Sequence, residues 1–234
     1  MKDSGRIEIL HAPTDSEPFI VLDKPSGMPT APLSDGDESA LSFALESFPE
    51  AGGVSGRKAV ERGLVHRLDT ATSGLVLIAS TQEFYDFISA EQDAGRFVKH
   101  YRADVDDIPS CASELGGFPP VPACVRAGTF RVESFFRPFG PRGACVRPVA
   151  EGSGRAASRK GGTRVYSTGV SLAGGKSRAL CSITAGFRHQ VRCHLAWCGF
   201  PVRGDALYNP RGGEGPMLFR AVGIEFPGFS LRAE

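Results

Sequence analysis

Apolar residues come in short runs broken by turn residues, and the spacing within each run predicts the element it forms. Ile7–Leu10 reads as an edge strand, and Phe19–Asp23 as a buried strand stopped by the turn Lys24-Pro25-Ser26-Gly27. Leu41, Ala44, Leu45 and Phe48 recur at helical spacing, so Ser39–Phe48 is predicted helical, with Pro49 as its stop. Ala51–Gly56 reads as a flexible glycine-rich loop. Leu64–Ala79 has the pattern strand, polar loop, strand, and its end, Leu75–Ala79, is the longest fully apolar run in the chain. Thr81–Gly95 is predicted to be an amphipathic helix with Phe84, Phe87 and Ile88 on one side. Phe97–Val105 alternates with period two, so Phe97, Lys99, Tyr101, Ala103 and Val105 share a face.

The second half is harder to read. Residues 106–162 are rich in Gly, Pro and Arg, with a weak strand signal at Gly128–Phe136 and a mobile basic loop expected at Ser153–Gly162. Val165–Leu172, Arg178–Thr184 and Met217–Phe226 read as strands. Phe187–Cys198 reads as a helix with Val191, Leu195 and Cys198 on its buried face. Short strands mixed with three helices predict an α+β fold with a mixed, largely antiparallel central sheet and flanking helices and loops.

Composition narrows the picture. The 234 residues read as one domain, 1–234, at roughly 150 residues per domain. A hydrophobic content of 41% excludes a disordered chain. The net charge of +1 conceals an asymmetry: residues 1–61 hold 11 acids and 5 bases, and residues 126–178 hold 2 acids and 11 bases. A one-sign field over part of a near-neutral chain points to a polyanion, although G+C-rich coding also enriches arginine. The six cysteines form no C-x-x-C pair, no signal-like apolar segment opens the chain, and no apolar run approaches a membrane span. These features lead to the expectation of a reducing, cytoplasmic setting with free thiols and no membrane partner.

Candidate chemistry concentrates in His66-Arg67-Leu68-Asp69, at the start of a polar loop before a buried strand. Arg67 and Asp69 point the same way if the segment is extended. By spacing alone the more common reading is a surface ion pair without function. His66–Ala79 resembles the H-R-L-D-x-x-T-S-G-L-L-L-x-A signature of the RluA-type RNA pseudouridine synthases, with conservative exchanges such as Val76. Gly186–Tyr208 is similar to that family's second signature, G-R-x-H-Q-[IL]-R-x-H-L-A-x-x-G-x-P-[IV]-x-G-D-x-L-Y. Phe19–Pro29 resembles its opening strand and K-P-x-G-[LM]-P turn, and Lys99–Val105 its K-x-Y-x-A-x-V strand. Together the four motifs follow family order over most of the chain.

The resemblance implies isomerisation of specific uridines in ribosomal or transfer RNA to pseudouridine, with RNA as partner, no cofactor, no metal and no obligatory protein partner. It implies Asp69 as the nucleophile, Arg192 as the cation that orients it and favours its charged form, and Tyr101 as the group that covers the base and handles the C5 proton. Arg67 then enters the space the base vacates, and His66, Arg188, His189 and Gln190 are expected to contact RNA. Many relatives carry an S4-type RNA-binding domain ahead of the catalytic one. None is expected here, so the grip on RNA falls to the domain itself, with Arg155, Arg159 and Lys160 of the basic stretch as candidates. Two departures stand out: Phe187 occupies the family's first arginine position in the second signature, and Phe219-Arg220-Ala221 replaces L-H-A in a strand expected mainly to pack the core.

Three other readings compete. One is an RNA-binding protein of the same fold without turnover. Another is an N-glycosidase that releases uracil, which needs a second carboxylate to activate water, with Asp205 the one late candidate. The third is a zinc site from His189, Cys193, His194 and Cys198, whose spacing shares one helix side only in part and lacks a second ligand pair.

Overall fold

The structure, a computed structural model, describes residues 5–149 and 164–233 apart from positions 33, 35, 127 and 214. It comprises two compact units: residues 1–99 with 220–234, and residues 100–219. The basic loop expected at Ser153–Gly162 lies outside the described residues.

In the first unit β1 (Glu8–His11) pairs antiparallel with β2 (Phe19–Lys24), which pairs antiparallel with β3 (Ser73–Ala79). β3 is buried along its whole length and lies between two strands. One of these is β9 (Phe219–Phe226), which runs parallel to β3 at Ser73↔Arg220 and Gly74↔Ala221. The approach there is so close that a Cβ on Gly74 would meet the Ala221 carbonyl oxygen at 2.1 Å, and Gly74 sits at φ +112°. Only glycine meets both demands, which explains the Thr-Ser-Gly of the first motif. β10 (Phe229–Arg232) folds back on β9 as a hairpin, unforeseen although Pro227-Gly228 supplies the turn.

Helix α1 (Ala40–Ser47) starts at a Ser39/Ser42 capping box, and α2 (Gln82–Asp93) starts at Thr81, whose hydroxyl accepts from the Phe84 N–H. Phe84, Tyr85 and Ile88 of α2 enter the core with Phe19, Leu75, Leu77, Phe97 and Phe226. Phe87, expected inside, is 41% exposed. The glycine-rich segment is more ordered than expected: Pro49–Gly53 forms one turn of 3-10 helix and Val54 joins the core. Leu64, expected in a strand, makes a single bridge to Ile78.

The chain crosses into the second unit within β4 (Val98–Asp104), whose alternating burial matches the predicted face. The second unit then forms the short helix α3 (Cys111–Glu114), followed by β5 (Thr129–Phe139), β6 (Cys145–Val149), β7 (Tyr166–Ala173) and β8 (Arg178–Ile183). β5 pairs antiparallel with β6 through Phe135–Phe139 and with β7 through Thr129–Ser134; β7 pairs antiparallel with β8. Helix α4 (Gln190–Trp197) is buried on every side, not on one face as the spacing suggested. Among these pairings of the described residues all but β3–β9 are antiparallel, the mixed sheet that the sequence predicts. Among the described residues no helix is long and apolar enough to cross a membrane.

Candidate active site

In the first unit the loop carrying Asp69 is held by its backbone. Lys24 ends β2 fully buried, and its ammonium donates to the carbonyls of Pro25 (2.9 Å), Met28 (2.7 Å) and Thr70 (3.2 Å). A buried lysine that donates to the carbonyls of two separate loops binds them as one piece. Gly27 N–H and the Ser26 hydroxyl donate to the carbonyls of Thr70 and Ala71, both at 2.8 Å. Thr30 adds a reciprocal pair, its hydroxyl donating to the Leu68 carbonyl at 2.8 Å and accepting from the Leu68 N–H at 3.1 Å. The Thr72 N–H closes the turn on the Asp69 carbonyl at 2.9 Å. Residues 68 to 72 are thus fastened through main-chain atoms, and the Asp69 carboxylate is presented from a rigid turn. The sequence contains this signal as a lysine at a strand end just before proline.

His66 and Arg67 flank that turn differently. His66 turns its ring inward: Nε2 accepts from the Leu77 N–H at 3.2 Å, and the ring lies 5.6 Å from that of Phe97. Burial, with a smaller contribution from the Lys99 charge, lowers its pKa to about 3. A neutral ring so placed braces the loop against β3. Arg67 projects outward, its side chain 54% exposed, with Nη1 donating to Glu61 at 2.8 Å.

The second unit holds Tyr101 and Arg192. Tyr101 lies on the buried face of β4, its ring stacked on Phe219 at 5.2 Å and 16°. The strand segment Phe219-Arg220-Ala221 therefore does more than pack the core: Phe219 fixes the plane of Tyr101, and in the first unit Arg220 forks onto Asp23 of β2. Arg192 projects from α4 and is 5% exposed. Its Nε and Nη2 each donate to Asp205 at 2.7 Å. Asp205 Oδ1 also accepts from the N–H groups of Leu207 and Tyr208. The Tyr208 hydroxyl in turn bridges the backbone of Val146, accepting at 2.8 Å and donating at 3.1 Å. Gly204, at φ +74°, lets this loop close, since a Cβ would meet the Pro216 carbonyl oxygen at 2.2 Å. The Gly-Asp-x-Leu-Tyr end of the second signature is therefore a mount for Arg192. Asp205, already gripping a guanidinium and two amides, is unsuited to activating water, which removes the second carboxylate the N-glycosidase reading needs.

The rest of the second signature is largely structural. Both N–H groups of the Gln190 amide donate within the unit, to the Ser167 carbonyl (3.0 Å) and Thr168 Oγ1 (3.2 Å), while its oxygen accepts from the Phe187 N–H. At 2% exposure it holds the helix start. Arg188 ties down the β5–β6 turn through the carbonyls of Gly143 and Cys145. His189 Nδ1 pairs with the Tyr208 hydroxyl at 3.1 Å. Phe187, in the family's arginine position, stacks on Phe136 at 5.1 Å and 7°, so it belongs to the core.

His194 is fully buried, its two nitrogens paired with Ser134 Oγ (2.9 Å) and Thr168 Oγ1 (2.8 Å). Burial lowers its pKa to about 3. Unfolded histidine titrates near ~6.5, so between these values the unfolded chain binds the proton that the folded chain refuses. Stability is then full above about pH 6.5 and falls as the pH drops toward 3, with His66 acting in the same sense. Urea midpoints at pH 7 and 4.5 check this: the loss on acidification is expected to be smaller in His194→Gln.

The family model for RNA pseudouridylate synthase matches residues 18–197. The chain belongs to that family. It is 29% identical over 196 residues to the ribosomal large subunit pseudouridine synthase D of Zymomonas mobilis, covering 83% of this chain and 54% of the relative. To the mitochondrial tRNA pseudouridine(32) synthase of Saccharomyces cerevisiae it is 27% identical, covering 83% and 36%. The chain thus spans about half or less of the length of these curated relatives. Its fold is similar to that of human RNA pseudouridylate synthase domain containing 1, with a TM-score of 0.67 and 17% identity over 100% of this chain and 85% of the other.

Proposed function

We propose that this protein isomerises specific uridines in ribosomal or transfer RNA to pseudouridine. The observation that carries the reading is the Asp69 turn, an H-R-L-D segment clamped through its backbone by Lys24 and Thr30 in a chain of the pseudouridylate synthase family. A fixed backbone holds a nucleophile in a reactive geometry without relying on its own side chain. Relatives named for ribosomal and for transfer RNA support those two substrate classes.

In this reading the Asp69 carboxylate starts cleavage of the bond between N1 and C1′, the uracil turns, and C5 bonds to C1′. The C5 proton leaves and N1 gains one, so the sum is neutral and consumes no second substrate. Tyr101, held in plane by Phe219, is assigned by its motif to cover the base and handle the C5 proton. Arg192, mounted by Asp205, is the cation that the family motif assigns to the nucleophile. Arg67 occupies the gap left in the RNA, with its guanidinium plane against the neighbouring bases. The work is assigned to a reducing, cytoplasmic setting, consistent with six free thiols, among which burial pushes Cys111 and Cys181 up to about 12.

Incubation with cellular RNA labelled with tritium at uridine C5 tests the reading. Tritium release and new pseudouridines are expected, in the presence of EDTA and without nucleotides. Release of free uracil would support the glycosidase, and binding without either product would support an inactive RNA-binding protein.

A further inference from the structure

Arg67 has a partner whose placement the reaction itself does not explain. Its Nη1 donates to Oε1 of Glu61 at 2.8 Å, and the two side chains differ in exposure, 54% against 11%. Glu61 ends the single 3-10 turn Ala59–Glu61, and its carbonyl accepts from the Leu64 N–H at 2.9 Å. The following residues are pinned. Arg62 sits at φ +46°, and a Cβ on Gly63 would meet the Ala79 carbonyl oxygen at 2.1 Å. Around this turn Arg57, Lys58, Ala59, Val60 and Arg62 are exposed, whereas Glu61 is buried. Lys58 comes within 3.7 Å of the same oxygen, but its side chain is 66% exposed.

An ion pair with one exposed partner adds little stability, and a non-glycine residue at positive φ carries strain. The chain nevertheless turns its one carboxylate between residues 57 and 62 onto the arginine of the H-R-L-D loop. Arginine is long and rich in rotamers, and it loses that freedom when it enters an RNA stack. Ordering it in advance lowers the cost of that step.

We propose that Glu61 is a positioning residue that presets Arg67 for the space a flipped uridine leaves in RNA. The inference rests on the reading of the chain as a pseudouridine synthase with Arg67 in that role. The grip runs through Nη1, which steers the guanidinium by its edge and leaves its plane to stack. Its benefit arises where a base must be drawn out of a stack, and not on a uridine that is already unstacked.

The test compares wild type, Glu61→Ala, Glu61→Gln and Lys58→Met in the full chain on two RNAs. One is the stem-loop around a mapped target uridine; the other is an unstructured oligonucleotide with the same flanking bases. Glu61→Ala is expected to lower kcat/KM by roughly tenfold on the stem-loop and less than about twofold on the oligonucleotide. Glu61→Gln keeps a neutral acceptor for Nη1 and is expected to lose about threefold, again on the stem-loop alone, so it decides the matter if the alanine variant does not fold. Lys58→Met is expected to match wild type in the ratio between the two RNAs. Equal losses on both RNAs would make Glu61 a purely structural residue and overturn the inference. Tighter RNA binding by Glu61→Ala would also overturn it, because Glu61 would then restrain Arg67. A wild type inert on all RNA would overturn the function and this role with it, whereas an active wild type with an unchanged ratio in the variants overturns only the role.

Discussion

Asp69→Asn is expected to bind RNA as wild type does and to form no pseudouridine, with turnover reduced by about 10⁴-fold or more. The substitution keeps shape and size and removes the charge that makes the carboxylate nucleophilic. The fold is expected to survive, because the turn is held by main-chain carbonyls: Leu68 on Thr30, Thr70 on Lys24 and Gly27, Ala71 on Ser26, and Asp69 itself on the Thr72 N–H. Thermal unfolding and filter binding of the variant, set beside tritium release, separate the two effects. Pseudouridine formation by Asp69→Asn above background would remove Asp69 from the chemistry, and a loss of folding would mean that the side chain also holds the turn.

Asp205→Ala is expected to destabilise the protein by about 3–5 kcal/mol, the usual cost of stranding one partner of a buried ion pair. Arg192 is 5% exposed and Asp205 1%, so water replaces the carboxylate poorly, and the amides of Leu207 and Tyr208 lose their acceptor as well. Replacing both partners with apolar residues, as in Arg192→Met with Asp205→Leu, is expected to recover most of that stability, since the desolvation cost then disappears with the charges. Activity is expected to stay lost in the double variant, because the guanidinium assigned to the reacting carboxylate is gone. Urea midpoints and tritium release on the three proteins check both halves. Recovery of activity with stability would mean that Arg192 serves the fold alone.

Local pattern made much of this molecule legible. β2 and β3 were readable because a continuous apolar run between turn residues has few alternatives to a strand buried on both faces. β4 was readable because its period of two survives at every position from Phe97 to Val105. β6 was not. Cys145-Val146-Arg147-Pro148-Val149 contains a proline and no clear alternation, and it becomes a strand only because β5 supplies a partner ladder. α4 was predicted as a helix, but its buried surface was not. Arg192, His194 and Gln190 look like a polar face until Asp205 of the following loop and Ser134 and Thr168 of β5 and β7 satisfy them.

The same division runs through the candidate site. By itself the sequence determined the family, the order of its motifs, the turn that bears Asp69 and the strand that bears Tyr101, since each depends on residues close together in the chain. Tertiary structure alone decided that Lys24 binds the Asp69 turn, that Phe219 fixes the plane of Tyr101, that Asp205 mounts Arg192 and that Glu61 holds Arg67. Lys24 and Phe219 are distant in sequence from what they hold, and although Glu61 and Asp205 lie nearer their partners, buried charges and aromatic rings choose partners by distance and desolvation in the folded chain, which no local spacing encodes.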